Sequence, residues 1–147
     1  MITLRLVDET TFEAVIGLSV ADGDKRRVAS NLYSLAQAWL YRQDDTIEPL
    51  AILASGKVVG FLLLAKHRRD KEYLIWRLMI DQAHQNRGHG REVLRQVIQM
   101  AKDDQECQKV TANYVIGNHK MRGLLEKFAF QPVGLKGNEM MMTLDIK

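Results

Sequence analysis

The chain has 147 residues, 46% of them hydrophobic and 27% charged, which fits one globular domain over residues 1–147, with a core that needs no staples. A net charge of +3 mildly favours an anionic ligand and is too small to imply nucleic acid. A single cysteine, Cys107, excludes an internal disulfide. With no signal-like start and no apolar run longer than VVGFLLLA, the expectation is a cytoplasmic protein that does not span a membrane.

In chain order, residues 2–7 alternate as a strand, and 9–18 read as a helix with Thr10 or Thr11 near its start. ADGD is a turn, after which Asp24 can cap a longer helix over 25–40. Val28, Leu32, Leu35, Ala36 and Trp39 share one face of that helix and predict its core side. YRQDDTIEP is a polar connection. Strands at 50–54 and 57–65 flank Ser55 and Gly56, a hairpin signal. KHRRDK then turns the chain into a strand at 73–80, completing an antiparallel meander. A loop over 81–90 leads into a helix at 91–103, with Val93, Leu94, Val97, Ile98 and Ala101 as its apolar stripe. After a turn at DDQE comes a β-branched strand, 109–116. Asn118 can cap a helix running to Phe128, with Met121, Leu124, Leu125 and Phe128 on one face. Strands at 130–135 and 139–146 close the chain around Lys136, Gly137 and Asn138. The order β-α-α-β-β-β-α-β-α-β-β, with no internal repeat, suits helices on both faces of a mixed sheet.

The stretch QNRGHGR, residues 85–91, joins a strand to a helix. Glycines let backbone approach a ligand, the first helical N–H groups lack partners, and the helix dipole adds positive charge. Together these make a phosphate or pyrophosphate site. A dinucleotide fingerprint would need a third glycine, but Gly88, His89 and Gly90 are followed by Arg91, Glu92 and Val93. A Walker loop would need Gly-Lys-Ser/Thr, which is absent. An ordinary strand–helix turn is the competing explanation.

Residues Gln85, Asn86, Arg87, Gly88, His89 and Gly90 resemble the Gln/Arg-x-x-Gly-x-Gly/Ala acetyl-CoA loop of the GNAT N-acetyltransferase superfamily. NHKMRGLLEKFAF, from Asn118, is similar to that family's Asn-x-x-Ala-x-x-Leu-Tyr-Glu-Lys-x-Gly-Phe segment. VASNLYSLAQAW and YLIWRLMID resemble the bacterial spermine/spermidine N-acetyltransferases within it. The resemblance implies an α+β fold: a mixed, mostly antiparallel seven-stranded sheet flanked by about four helices, with acetyl-CoA as co-substrate. It places the CoA pyrophosphate on the backbone of Arg87, Gly88, His89, Gly90 and Arg91. The pantetheine arm falls on the strand end at Met79 and Ile80, with Asn118 beside it. It further implies direct attack by a primary amine of a small molecule, a polyamine first, in a ternary complex. A homodimer is expected from family habit.

Such chemistry needs a neutral amine, although a free alkylamine has a pKa near 10, like lysine. It also needs a proton acceptor, a donor for the oxyanion, and a way to release the thiolate. Two family positions depart from this recipe. Leu125 stands where the family has its general-acid tyrosine, and Trp76 stands where some relatives carry a glutamate. Solvent relay is the reading that remains, with Tyr114 or Glu72 as candidate catalytic groups. A packed strand tyrosine and a solvated partner of Lys71 or Arg69 are the plainer alternatives. Asp22, Asp24, Glu48 and Glu139 are the candidate carboxylates for a polyamine. His67, His84, His89 and His119 lack partners at metal-ligand spacing, so no metal is expected. KHRRDK reads as a solvated hairpin tip. Met140, Met141 and Met142 read as core or interface. Two other functions stay open: acetylation of a protein lysine or N-terminus, and a non-catalytic acyl-CoA-binding module.

Overall fold

In the computed structural model, which describes residues 1–19 and 30–147, seven strands and four helices follow the expected order. They are β1 (Ile2–Leu6), α1 (Phe12–Ile16), α2 (Asn31–Leu40), β2 (Thr46–Ala54), β3 (Lys57–His67), β4 (Glu72–Ile80), α3 (His89–Asp103), β5 (Lys109–Val115), α4 (His119–Lys127), β6 (Gln131–Lys136) and β7 (Glu139–Asp145). One sheet holds all seven strands in the spatial order β1-β2-β3-β4-β5-β7-β6. Every neighbouring pair is antiparallel except β4 and β5, which run parallel.

Two apolar cores lie on opposite faces of this sheet. One joins α3 and α4 to the sheet through Leu62, Leu64, Ile75, Val97, Leu125 and Phe130. The other joins α1 and α2 to it through Val15, Ala38, Ala51, Phe61, Leu63 and Met79. The predicted stripe of α3 is buried at all five positions, as a 3.6-residue period on a long helix requires. β2 begins earlier than its apolar run suggests and takes in Pro49. Its carbonyl accepts from the Val7 N–H at 2.9 Å, just past the end of β1. The missing proline N–H therefore breaks no ladder bond.

Helix α2 corrects the sequence expectation. Its buried residues are Asn31, Ser34 and Ala38, whereas Leu32 is 59% and Trp39 67% exposed. The bulky side chains of Phe61, Leu63 and Met79 already fill the layer beneath it, so the helix approaches on its small residues. Asn31 Nδ2 donates to the Val15 carbonyl at 2.8 Å and reaches Met79 Sδ at 3.6 Å. Ser30 caps the helix by accepting from the Tyr33 N–H. The expected cap Asp24, and Asp22 and Val28 with it, lie outside the described residues.

Candidate active site

The site begins at an irregularity in β4. Leu64 pairs with Ile75 and Leu63 with Arg77, so Trp76 is an extra residue without a partner on β3. Such a bulge bends its strand and switches the side-chain alternation. Tyr73 and Ile75 pack on the α3/α4 side, and after the bulge so do Leu78 and Ile80, while Trp76 and Met79 face α1 and α2. β5 pairs with β4 only over residues 72–75, against 109–112. Both strands then continue apart.

Ladder geometry shows what faces the opening. The Asp81 N–H donates to the Val59 carbonyl at 2.8 Å, which makes 59/81, and hence 61/79, hydrogen-bonded pairs. Leu78 and Ile80 therefore turn their backbone N–H and C=O away from β3 and toward the gap. The Ile80 carbonyl accepts from Gln85 Nε2 at 3.0 Å, and Gln85 Oε1 accepts from Lys120 Nζ of α4 at 2.8 Å. Met79 is different: its backbone belongs to the β3 ladder, and its side chain packs toward α1 and α2.

The glycine loop closes one end of this opening. Asp81 caps a short turn, Gln82–His84, and its second oxygen accepts from the Ser19 N–H at 3.0 Å. Burial works against the Asp81 charge, but the N–H groups of Ser19 and Ala83 and the His84 ring outweigh it and hold the carboxyl below its usual range. Asn86 and Gly88 both take left-handed backbone, with φ of 64° and 80°. Gly88 is the N-cap of α3, so the helix starts at His89 rather than Arg91. The first intrahelical bond runs from the Glu92 N–H to the Gly88 carbonyl. The N–H groups of His89, Gly90 and Arg91 precede it and have no intrahelical acceptor.

A cleft of about 660 Å³ joins these parts, lined by Ile80, Gln85, Asn86, the start of α3 and one side of α4. Met79, His89, Gly90, Arg91 and Asn118 also line it; Arg87 does not. Arg91, Lys120 and Lys127 give the lining a cationic character, with no carboxylate among the described residues. Glu92, in the first turn of α3, is committed to Arg95 at 2.6 Å, and that bond pushes its carboxyl down to about 2. His89 is held below its ordinary value by burial and by the charges of Arg87 and His84. An unpaired helix start, a left-handed glycine and a basic wall fit the pyrophosphate of coenzyme A.

The opposite face of the parted strands is walled by α2. Tyr41 stands 5.9 Å from the Trp76 ring. Arg77 donates to its neighbour's carbonyl, Trp76 O, at 2.8 Å and reaches Gln37 Oε1 at 3.4 Å. Burial lowers the guanidinium's pKa, opposed by the nearby Glu139 carboxylate and Tyr33. On β5, Val110, Ala112 and Tyr114 belong to the α3/α4 core, so Asn113 points the other way. Its Oδ1 is buried with no hydrogen-bond partner among the described residues.

The candidate residues thus divide. Tyr114 lies past the parting, on the same side as Leu125, and both are buried. Glu72 accepts from the Thr111 hydroxyl at 2.9 Å at the far end of β4, eight residues and roughly 26 Å from Ile80. Glu139 comes near Arg77. Glu48 is paired with Lys66 at 3.1 Å, in a groove beside β1 and α3. Arg77, Asn113, Asp81 and Gly60 were not anticipated. A charge inside the apolar run YLIWRLMI, and a glycine inside VVGFLLLA, were the available signals. Among the described residues no cluster of His, Cys, Asp and Glu could hold a metal, and no helix is long and apolar enough to cross a membrane.

Comparison with known proteins agrees with this geometry. The family model described as "Acetyltransferase (GNAT) family" matches residues 14–130. A spermine/spermidine N(1)-acetyltransferase of Bacillus subtilis (strain 168) is 24% identical over 136 residues, 88% of each chain. Among solved structures, an aminoglycoside acetyltransferase in complex with coenzyme A superposes with a TM-score of 0.80 at 14% identity, covering 99% of this chain and 95% of that one. Spermidine N-acetyltransferase of Vibrio cholerae, in complex with CoA and spermine, gives 0.76 at 14% identity, covering 98% and 95%. At such identities the structural likeness establishes the fold.

Proposed function

The chain belongs to the acetyltransferase (GNAT) family and is an acetyl-CoA-dependent N-acetyltransferase; on that premise we propose that it acetylates a primary amine of a small molecule, a polyamine such as spermidine or spermine first, by direct attack in a ternary complex. One observation carries the reading. The parting of β4 and β5 beyond 75 and 112 lies between the basic cleft and the α2 wall, so a thioester and an amine can meet from opposite faces.

The backbone N–H groups of residues 88–91, which line the cleft, would hold the pyrophosphate. The gap-facing edge at Leu78 and Ile80 would receive the pantetheine arm as an added strand, with Asn118 alongside. The Ile80 N–H is the donor for the oxyanion, aimed before reaction and so free of reorganisation cost. The amine must arrive neutral, and with Trp76 in place of a carboxylate its proton passes to water. Asn113 Oδ1, buried and without a partner among the described residues, can accept from the amine and orient its lone pair. Tyr114, beyond the parting on the cofactor side, is the candidate donor to the departing thiolate, since Leu125 can donate nothing.

The Bacillus subtilis relative supports a polyamine acceptor. So do Glu139 and the aromatic faces of Tyr33, Tyr41 and Trp76, which can receive alkylammonium groups. Arg77 favours a second reading: its remaining donors suit a carbonyl or carboxylate, as on a peptide N-terminus or a protein lysine segment. A cytoplasmic location and assembly as a homodimer accompany either reading. Thiol release from acetyl-CoA, followed with spermidine, spermine, simple amines, amino acids and peptides, separates them. Release with none of these, alongside measurable coenzyme A binding, would instead leave an acyl-CoA-binding module.

A further inference from the structure

Gln85, the first residue of the glycine loop, is half-buried in the wall of the cleft and uses both ends of its side-chain amide. Its Nε2 donates to the Ile80 carbonyl at 3.0 Å, and its Oε1 accepts from Lys120 Nζ at 2.8 Å. The partners fix the orientation of the amide, because a carbonyl can only accept and an ammonium can only donate. The side chain thus ties the end of β4 to the first turn of α4 across the opening. The Ile80 carbonyl is the last acceptor on the gap-facing edge of β4, since Gln82 already belongs to the turn that follows. β5 gives it no partner, because the two strands pair only over 72–75 and 109–112. A ligand laid along that edge as a strand must donate an N–H to this carbonyl. The arm of coenzyme A carries amides that can do so, and the Gln85 carboxamide is the same kind of donor. Lys120 lines the cleft together with Arg91 and Lys127. A phosphate oxygen makes a charge-assisted bond to an ammonium, roughly twice as strong as a bond between neutral groups.

We infer that Gln85 is a stand-in for the cofactor, and that coenzyme A displaces it from both partners: an amide N–H of the arm takes the Ile80 carbonyl, and a phosphate takes Lys120 Nζ. The inference rests on the coenzyme A path proposed for this cleft. The exchange strands no polar group, because each bond broken is replaced by one made to the same atom. Gln85 itself sits next to Asn86, which is exposed and in left-handed backbone with φ of 64°, so its side chain can turn out into water. Gln85 is therefore a positioning residue, acting through the Ile80 backbone and the Lys120 ammonium. The two exchanges serve different parts of the ligand. The nucleotide end needs only the one at Lys120, whereas the arm needs the one at Ile80 as well.

Calorimetric titration of the full chain with coenzyme A, and with adenosine 3′,5′-bisphosphate as the nucleotide end without the arm, tests it. In Gln85→Ala the Ile80 carbonyl has no side-chain bond to give up. Coenzyme A should then tighten relative to the bisphosphate by about 2–10-fold, the worth of one net hydrogen bond. The exchange at Lys120 is common to both ligands and cancels in that ratio. In Gln85→Glu the carboxylate cannot donate to Ile80 and pairs with Lys120 by charge. Both ligands should weaken by about 10-fold or more, while their ratio rises as in Gln85→Ala. Two ligands compared on one protein keep any loss of folded chain out of the result. A ratio unchanged in both variants overturns the inference, because the Ile80 carbonyl then keeps its Gln85 bond or lies outside the path of the arm. A ratio that falls in Gln85→Ala also overturns it, since Gln85 then holds the arm itself. A native chain that binds neither ligand refutes the cofactor path, and the inference with it.

Discussion

Gly60→Ala tests whether the packing of the sheet sets the geometry of the site. Gly60 lies opposite Ile80 on one side and Ile52 on the other. A Cβ built there would sit 2.5 Å from the Met79 carbonyl oxygen, 2.9 Å from Ile80 Cδ1 and 3.1 Å from Ile52 Cδ1. The two isoleucine methyls can turn aside. The carbonyl cannot, because it is backbone in a hydrogen-bonded pair. The end of β4 must therefore retreat by roughly 1 Å, at the residues whose edge faces the gap. Overpacking of this kind costs about 1–3 kcal/mol, a fall in Tm of about 2–4 °C for each kcal/mol in a chain of this length. A displacement of ~1 Å in a positioning element can cost about 100-fold in rate, so kcat/KM for acetyl-CoA should drop by that order. Gly123→Ala is the comparison: its Cβ meets nothing within 4 Å, and removing a helical glycine should add roughly 0.5–1 kcal/mol. Thermal unfolding, coenzyme A titration and thiol release supply the readings. Unchanged Tm and kcat/KM in Gly60→Ala would show that the strands can separate without disturbing the site, and the reasoning would fail.

Gly88→Ala has open space for its methyl but a φ of 80°, so the strain is conformational. It should destabilise by about 1–2 kcal/mol and weaken coenzyme A binding, with Gly88→Asn recovering part of both; equal binding by all three proteins would remove the loop from the cofactor site. Tyr114→Phe should lower kcat by ~10²–10⁴-fold if the hydroxyl protonates the thiolate, and an unaltered kcat would leave Tyr114 a packing residue. Because His89 is held below its ordinary value, the folded chain takes up its proton less readily than the unfolded one. Its penalty is absent above pH ~6.5 and grows as pH falls through that value. His89→Gln should lessen the acid-side loss of Tm. An anion at α3 reverses the preference, so lowering the pH from about 8 to 6 should tighten coenzyme A binding more in the native chain than in His89→Gln; equal slopes would exclude His89 from the anion site.

What could be read before folding was what local chemistry decides. The stripe of α3 repeats with the helical period over a full helix, and only one face of it is apolar. The α3 start was legible to within two residues because Gly88 and Gly90 interrupt the chain between strand and helix, although only the backbone shows that of the two Gly88 alone has positive φ. α2 misled for a physical reason. Its stripe of Leu32, Leu35, Ala36 and Trp39 predicts the core side, but of these only Leu35 packs on the sheet layer while Leu32 and Trp39 stay exposed, since Phe61, Leu63 and Met79 already fill that layer. The carboxylates were undecided for a similar reason. Glu48 on β2 goes to the Lys66 pair and Glu139 on β7 comes near Arg77, a difference that depends on where the fold brings each strand.

Trp76 is the clearest case of that dependence. YLIWRLMI contains neither glycine nor proline to mark a bulge; its one signal is the charge of Arg77. Without the extra residue, Tyr73, Ile75, Arg77 and Met79 would share one face of β4. Arg77 would then enter the apolar core beside Val97 and Leu125, and Leu78 and Ile80 would turn toward α2. Burying an unpaired guanidinium there costs several kcal/mol, so the sequence admits only the bulged register. The same bulge falls one residue after the last β4–β5 pair, where the strand bends and the ladder opens. The residue that calls for the bulge thus lies just past the point where β4 and β5 part. Trp76, which displaces a carboxylate from the position where relatives of this fold can place one, is the residue expelled by that requirement. The bulge therefore leaves β4 without a carboxylate where its strand parts from β5, and the proposed handling of the amine by Asn113 and solvent starts from that constraint.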